Sequence, residues 1–253
     1  MNFRDLMLGA LSYPDATPDK AVRSGVALAK RLGGDLWLAS VRVDIPALRS
    51  RLADALVRID QMIQQEEGRS LESARHIEAC ARLAAEEAGV KLESQILTAR
   101  LYEEGAVLCG PARTRDACLL PSGPAVLADR ALAEAVLFGS GRPVLVYPED
   151  AEVTPGEGFE AVAIAWDGGA RAARAVADAL PALARAKTVR ILVVTDEKPQ
   201  AHEGVAEDLV RHLATHGIEA AVDHWPAAGR RIGPAIADYV AAQGVDLLVM
   251  GGF

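Results

Sequence analysis

The stretch EAVAIAWDGG, residues 160–169, decides how the rest of the chain reads. Six of its first seven residues are apolar, with none of the three- and four-residue spacing of an amphipathic helix. It therefore reads as a buried strand that ends at Asp167-Gly168-Gly169. A helical pattern follows, in which Val176, Leu180 and Leu183 recur on one face. A strand, a turn and a helix in that order make half of a βαβ unit.

The same pattern occurs earlier. DLMLGALS, residues 5–12, is an apolar run closed by Tyr13-Pro14-Asp15, and Val22, Val26, Ala29 and Leu32 then repeat at helical spacing before Gly33-Gly34. Second strands follow in both places, DLWLASVRV at 35–43 and VRILVVT at 189–195. Each copy continues with helix, strand, helix and strand. In the first these are Ser70 to Ala88, VKLESQIL at 90–97, Tyr102 to Arg113, and DACLLP at 116–121. In the second they are Glu203 to His216, EAAVDHW at 219–225, Ile232 to Gln243, and DLLVMG at 246–251.

The first copy adds a helix from Ala125 to Phe138, a stop at Gly139-Ser140, and a strand, PVLVYP, at 143–148. It also carries an inserted amphipathic helix between Ile45 and Glu67, marked by Leu48, Leu52, Leu56, Ile59 and Ile63 and separated from the next helix by Gly68 and the cap candidate Ser70. The expected fold class is α/β, with two tandem doubly wound parallel-sheet, Rossmann-like domains, the second lacking its last helix and strand. The expected domains are residues 1–148 and 160–253, joined by an acidic linker at 149–159 that contains Pro and Gly.

Composition narrows the function classes. The chain has 253 residues, 51% hydrophobic and 25% charged, which argues against disorder. A net charge of −8 disfavours a nucleic-acid surface, which needs clustered Lys and Arg. No apolar run is long enough to cross a membrane, so a cytoplasmic location is expected. Cys80, Cys109 and Cys118 form no CxxC pair and read as small buried hydrophobes. His212 and His216 share a helix face in HLATH, but the Glu of a zinc-protease helix is missing, so a solvated helix is expected and no metal. No Ser-His-Asp or paired-carboxylate constellation emerges, and no catalytic residue is assigned.

The ending AWDGG at 165–169, the ending DLLVMGG at 246–252, RPVLVYP at 142–148 and the RTRDACLLP stretch at 113–121 together resemble a tandem universal stress protein of the adenine nucleotide alpha hydrolase-like fold. The resemblance implies adenine nucleotide binding, with ATP and its Mg as the expected ligand and a regulatory role, not catalysis. It implies that Asp167, with Gly168 beside it, contacts the adenosine part, and that Ala165, Trp166, Val194 and Met250 line the adenine side. Gly251 and Gly252 would open the phosphate loop, of which the later glycines and the Ser or Thr are absent. After Pro121 the first copy has no spaced glycine pattern, which implies a degenerate site there, with Asp15 a cap or turn residue.

Glycine at such a loop lets the backbone turn its N–H groups toward an anion, and a following helix N-terminus adds a positive dipole end. Arg230 and Arg231 are further candidates for phosphate attraction or plain surface charge. Two other readings stay open. The chain could be a scaffold of the same fold that works by association alone. It could also be an enzyme of the related pyrophosphatase or adenylating families, although WDGGAR lacks their Ser. An unpaired apolar edge on the last strand predicts self-association or protein partners.

Overall fold

The computed structural model describes residues 3–46, 53–123, 126–196 and 204–252. The chain divides into two compact units, Phe3–Gly156 and Glu157–Phe253. The first contains β1 (Asp5–Leu11), α1 (Asp19–Leu32), β2 (Asp35–Asp44), α2 (Ala53–Ala88), β3 (Leu92–Arg100), α3 (Glu104–Ala112), β4 (Ala117–Ser122), α4 (Val126–Ser140) and β5 (Val144–Pro148). The second contains β6 (Phe159–Ala165), α5 (Ala170–Leu183), β7 (Ala186–Thr195), α6 (Val205–Thr215), β8 (Ala220–Pro226), α7 (Ile232–Gln243) and β9 (Leu247–Val249).

Every strand pair is parallel, in the orders β3-β2-β1-β4-β5 and β8-β7-β6-β9. The α/β, doubly wound class expected from the alternation is therefore present in both units. The chain steps one way through β1, β2 and β3, then crosses back to place β4 on the other side of β1, with β6, β7, β8 and β9 arranged likewise. Leu6, Leu8, Leu38 and Leu119 are fully buried at the centre of the first sheet, and Ile164, Ile191 and Leu192 play that part in the second.

The connection after β2 differs from expectation. Gly68 and Ser70 do not separate two helices; α2 runs through both as one 36-residue helix. A mid-helix glycine costs only about 1 kcal/mol, and Gly68 faces open space, so nothing forces a break. Ser70 is not a cap either. Its Oγ accepts the backbone N–H of Val43 at 2.9 Å and lies 2.7 Å from Oγ of Ser12, which itself donates to the carbonyl of Val41. This buried chain ties α2 across the carboxyl ends of β1 and β2. Leu48 and Leu52, expected on the inserted helix, lie outside the described residues. Ser70→Ala would orphan the Val43 N–H inside the protein, so urea unfolding is expected to show the first unit weakened by roughly 1–3 kcal/mol. A change within about 0.5 kcal/mol, the range of ordinary surface substitutions, would refute that role.

The ends of α1 and α4 follow glycine geometry. Gly33 sits at φ 78° and its N–H bonds the carbonyls of Ala29 and Lys30, closing α1 as expected. The stop after α4 is Gly141, at φ +70°, and not Gly139-Ser140. Gly139 lies inside the helix for another reason: a Cβ there would stand 2.5 Å from Sγ of Cys109, so its absence lets α4 approach α3. Cys109 and Cys118 are buried and free, as is Cys80. Burial pushes the Cys118 thiol up to about 12, which keeps it unreactive. Starting positions expected at Ala125 and Glu203 fall outside the described residues.

The acidic segment after β5 runs along α1. Ser24 Oγ donates to the carbonyl of Ala151 at 2.6 Å, Arg31 Nε donates to that of Thr154 at 3.0 Å, and Lys20 pairs with Glu152.

Candidate functional site

Open parallel sheets leave a crevice at the carboxyl ends of the strands where the winding direction reverses. In the second unit that point lies between β6 and β9, which pair in register from Val162↔Leu247 to Ile164↔Val249. β9 ends at Val249, earlier than the expected strand at 246–251, so Met250, Gly251 and Gly252 form the loop beyond it.

Asp167 is exposed just past β6, and its Oδ1 accepts the N–H of Gly169 at 2.8 Å. This folds the Asp167-Gly168-Gly169 corner, with Gly168 at φ +72°, into the start of α5. Asp167 is thus not the helix cap. Gly169 is, and no side-chain cap bond closes that helix start. Gly251 approaches from the other strand. A Cβ on it would lie 2.8 Å from the backbone N of Ala172 and from the carbonyl carbon of Arg171. Only a glycine fits against that first turn of α5. Asp167, Gly168 and Gly251 therefore share one rim, beside the N-terminal N–H groups of α5.

The other expected residues separate. Strand side chains alternate between faces. Ala165 and Val194 pack with Ala163, Leu192, Trp225 and Tyr239 on the α7 side of the sheet. Trp166, one residue further than Ala165, turns to the α5 and α6 side. There it lines a cleft of about 260 Å³ with Ala173, Val176, Asp208, Leu209 and His212. Met250 is 43% exposed, and Gly252 is half-buried. Trp166 and Val194 thus face away from one another across the sheet. Asp208, Leu209 and His212 were not expected at a site. Their one signal in the sequence is the four-residue spacing of Asp208 and His212 on a helix, which many solvated helices share.

Of the remaining charged candidates, Arg230 is engaged through its side chain and Arg231 is exposed, with no side-chain cap bond. Arg230 forms an ion pair with Asp238 and donates from Nε to the carbonyl of Ala227. Arg231 is the N-cap residue of α7. His212 and His216 meet edge to face, ring centroids 4.9 Å apart. Among the described residues no group of three His, Cys, Asp or Glu could hold a metal ion, and no helix is long and apolar enough to cross a membrane. A second hollow, of about 240 Å³, opens at the amino edge of the first sheet among Arg4, Asp5, Asp35, Trp37, Lys91 and Arg115. Two ion pairs line it, Arg115 Nε with Asp5 Oδ1 at 3.0 Å and Lys91 with Glu93 at 3.6 Å, and the Arg115 guanidinium sits over the Trp37 ring. Burial still pushes the Asp5 carboxyl up despite that partner.

A shared clip shows how the first unit differs. The carboxylate of Asp116 accepts the N–H groups of Arg4 and Asp5 at 2.8 and 3.1 Å. That of Asp246 accepts those of Glu160 and Ala161 at 3.1 and 3.0 Å. Aligned on these clips, Asp5 corresponds to Ala161 and Asp116 to Asp246. Six residues on, the first unit has Leu11 where the second has Asp167. Five residues past the clip aspartate it has Pro121 where the second has Gly251. Asp15 stands in an exposed turn, and the cap of α1 is Pro18. Gly123, directly after β4, is already engaged. The Gly123 N–H donates to Asp129 Oδ2 at 2.7 Å, and the Glu149 carboxylate packs against Gly123. An arriving phosphate would meet two carboxylates there.

No protein-family profile and no curated protein sequence matches the chain. Solved structures do. A universal stress protein from Archaeoglobus fulgidus DSM 4304 aligns with a TM-score of 0.65 at 16% identity, over 99% of this chain and 86% of that one. A universal stress protein in complex with cAMP aligns over 59% of this chain and 100% of its own, with a TM-score of 0.39 at 18% identity. One from Burkholderia pseudomallei covers 58% and 96%, with a TM-score of 0.39 at 15% identity. The similarity is one of fold: the chain has two parallel-sheet, Rossmann-like units of the kind found in universal stress proteins.

Proposed function

We propose that the second unit binds an adenine nucleotide at the rim formed by Asp167, Gly168 and Gly251, and that the chain acts as a nucleotide-responsive regulatory module without committed catalysis. The observation that carries this reading is the contact of Gly251 with the first turn of α5, which brings the β9 loop beside helix N–H groups and beside Asp167. A carboxylate accepts several hydrogen bonds at once, so Asp167 can hold its own turn and also receive ribose hydroxyls. Phosphates are then drawn to the α5 N-terminus, and Mg would arrive with the phosphates of ATP. Ligand bound to the folded unit stabilises it by mass action, which is the regulatory output.

The engagement of Gly123 by Asp129 in the first unit favours a second role for that half, association without nucleotide, in line with a protein partner or a second copy of the chain. Together these make a cytoplasmic stress-response module with one ligand-responsive half.

Calorimetric titration with ATP and AMP tests the reading. Asp167→Ala is expected to weaken binding at least tenfold. Asp167→Asn, which can still accept the Gly169 N–H, should keep the fold and lose affinity less. Equal affinity in all three proteins, or no binding to any, would refute the proposal.

A further inference from the structure

The hollow at the amino edge of the first sheet gathers charges that the fold leaves unsettled. β1 and β2 pair with Asp5 directly opposite Asp35, and two residues along β2 Trp37 stands opposite Glu93 of β3. Residues opposite one another on neighbouring strands share a face, and like charges so placed repel. Asp5 and Asp35 therefore stand side by side with Trp37 one row further in. The indole packs against the core beside Met7 and Ala112 and stays half-buried where it lines the hollow.

The resident cations compensate these carboxylates incompletely. Arg115 Nε lies 3.0 Å from Asp5 Oδ1, yet this buried atom has no acceptor in hydrogen-bonding geometry among the described residues. The pair touches but is misaligned, which leaves the Asp5 carboxylate able to accept another donor. Lys91 and Glu93 are 3.6 Å apart and each 69% exposed, so they hold one another weakly. The exposed side chains of Asp35 and Arg4 make no hydrogen bond or ion pair among the described residues. Burial pushes the Asp5 carboxyl up, Arg115 opposes the rise, and Asp116, Glu93 and Asp35 add to it.

We propose that this hollow binds a small zwitterion of the amino-acid class, with its ammonium between Asp5 and Asp35, its carboxylate at Arg4 and its apolar body against Trp37. An ammonium brings three N–H donors to a pair of carboxylates and turns their repulsion into attraction. The guanidinium of Arg4 presents a planar fork to a carboxylate. Charge balance disfavours simpler ligands. A bare cation would meet Arg4, Lys91 and Arg115, and a bare anion would meet Asp5, Asp35 and Glu93. At about 240 Å³ the hollow is below the roughly 300–1,000 Å³ of sites for drug-sized ligands, which suits one molecule of this size. The site lies in the first unit, at the opposite end of the strands from the carboxyl-edge crevice, and does not rest on the nucleotide reading.

The test uses the whole chain with its tryptophan indoles ¹⁵N-labelled, titrated with L-leucine. The Trp37 resonance, assigned through Trp37→Phe, is expected to shift while those of Trp166 and Trp225 stay in place. Two analogues each remove one charge from leucine: 3-methylbutylamine lacks the carboxylate and 4-methylpentanoate lacks the ammonium. Each should need at least about tenfold more for the same shift, the loss expected for a charged hydrogen-bonding group. Asp35→Asn and Arg4→Gln, both at exposed positions, should each weaken leucine binding by at least about fivefold, and Asp35→Asn should bring leucine and 4-methylpentanoate closer together. The analogue series on the parent chain needs no variant to fold. A Trp37 resonance that stays still at millimolar leucine would overturn the proposal, as would equal shifts of all three indoles. An analogue as effective as leucine would reduce the hollow to a plain cation or anion site, and undiminished binding in Asp35→Asn would remove the assigned ammonium position; either result overturns the proposal as stated.

Discussion

Gly158→Ala is expected to destabilise the second unit by about 3 kcal/mol, enough to remove a large share of the stability of an ordinary domain. Gly158 sits at φ +69°, where an L side chain costs roughly 1–2 kcal/mol. The added methyl would also overlap the carbonyl oxygen of Arg185 and lie 2.9 Å from its carbon. Displacing packed backbone adds roughly 1–3 kcal/mol. That carbonyl accepts the Phe159 N–H, where β6 begins to run beside β7, so the clash falls at the start of the central strand. Gly156, two residues earlier, has nothing within 4 Å of the place a methyl would take, and serves as the control. Urea unfolding followed by tryptophan fluorescence would compare Gly158→Ala with Gly156→Ala. Indistinguishable midpoints would show that the turn is not constrained.

The second large effect is expected at Tyr239, on α7. Its side chain is 1% exposed, its ring meets Trp225 edge to face at 5.5 Å, and its hydroxyl donates to Asp223 Oδ2 at 2.5 Å. Arg190 donates to the same oxygen at 2.8 Å. Tyr239→Ala should cost about 3–5 kcal/mol through the cavity it leaves. Tyr239→Phe keeps the ring and should cost about 2 kcal/mol through the lost charge-assisted bond. The two variants separate packing from hydrogen bonding, and equal losses would contradict that division.

The pH dependence follows from Asp223. Burial pushes its carboxyl up, but the Tyr239 and Arg190 hydrogen bonds outweigh it and hold the group below its ordinary 3.8. Its stabilising contribution is therefore complete above that value and is lost as the pH falls through the depressed one. The gap in stability between the parent protein and Tyr239→Phe should shrink as the pH drops below 3.8. A gap that widens with acid would reverse the assignment.

Much of the architecture was legible beforehand because burial on both faces of a parallel strand leaves long apolar runs. EAVAIAW and DLMLGALS show this directly, and the crossover rule then orders their neighbours. α2 was not legible as one helix, because a glycine and a serine in sequence look like a boundary. Nothing local shows that Gly68 faces open space or that the Ser70 hydroxyl is occupied by Val43 and Ser12. Gly139 misled in the same way, since its small size serves the contact with Cys109 and not a helix stop. The place of Asp167 beside a glycine loop was readable from the order of strands and turns.

By itself, the sequence determined the α/β class, the duplicated order of elements and the turn in which Asp167 stands, since periodicity and turn residues act locally; the last strand, read as 246–251, ends at Val249. Tertiary structure alone decided which way each side chain near the site faces. Side chains alternate along a strand, so the register Ala165↔Leu192 sends Trp166 to the α5–α6 cleft and Val194 to the α7 core, and a shift of one residue would exchange them. It alone also brought Asp208 and His212 of α6 to the rim around Trp166. That meeting depends on the distance between two helices, which no local pattern specifies.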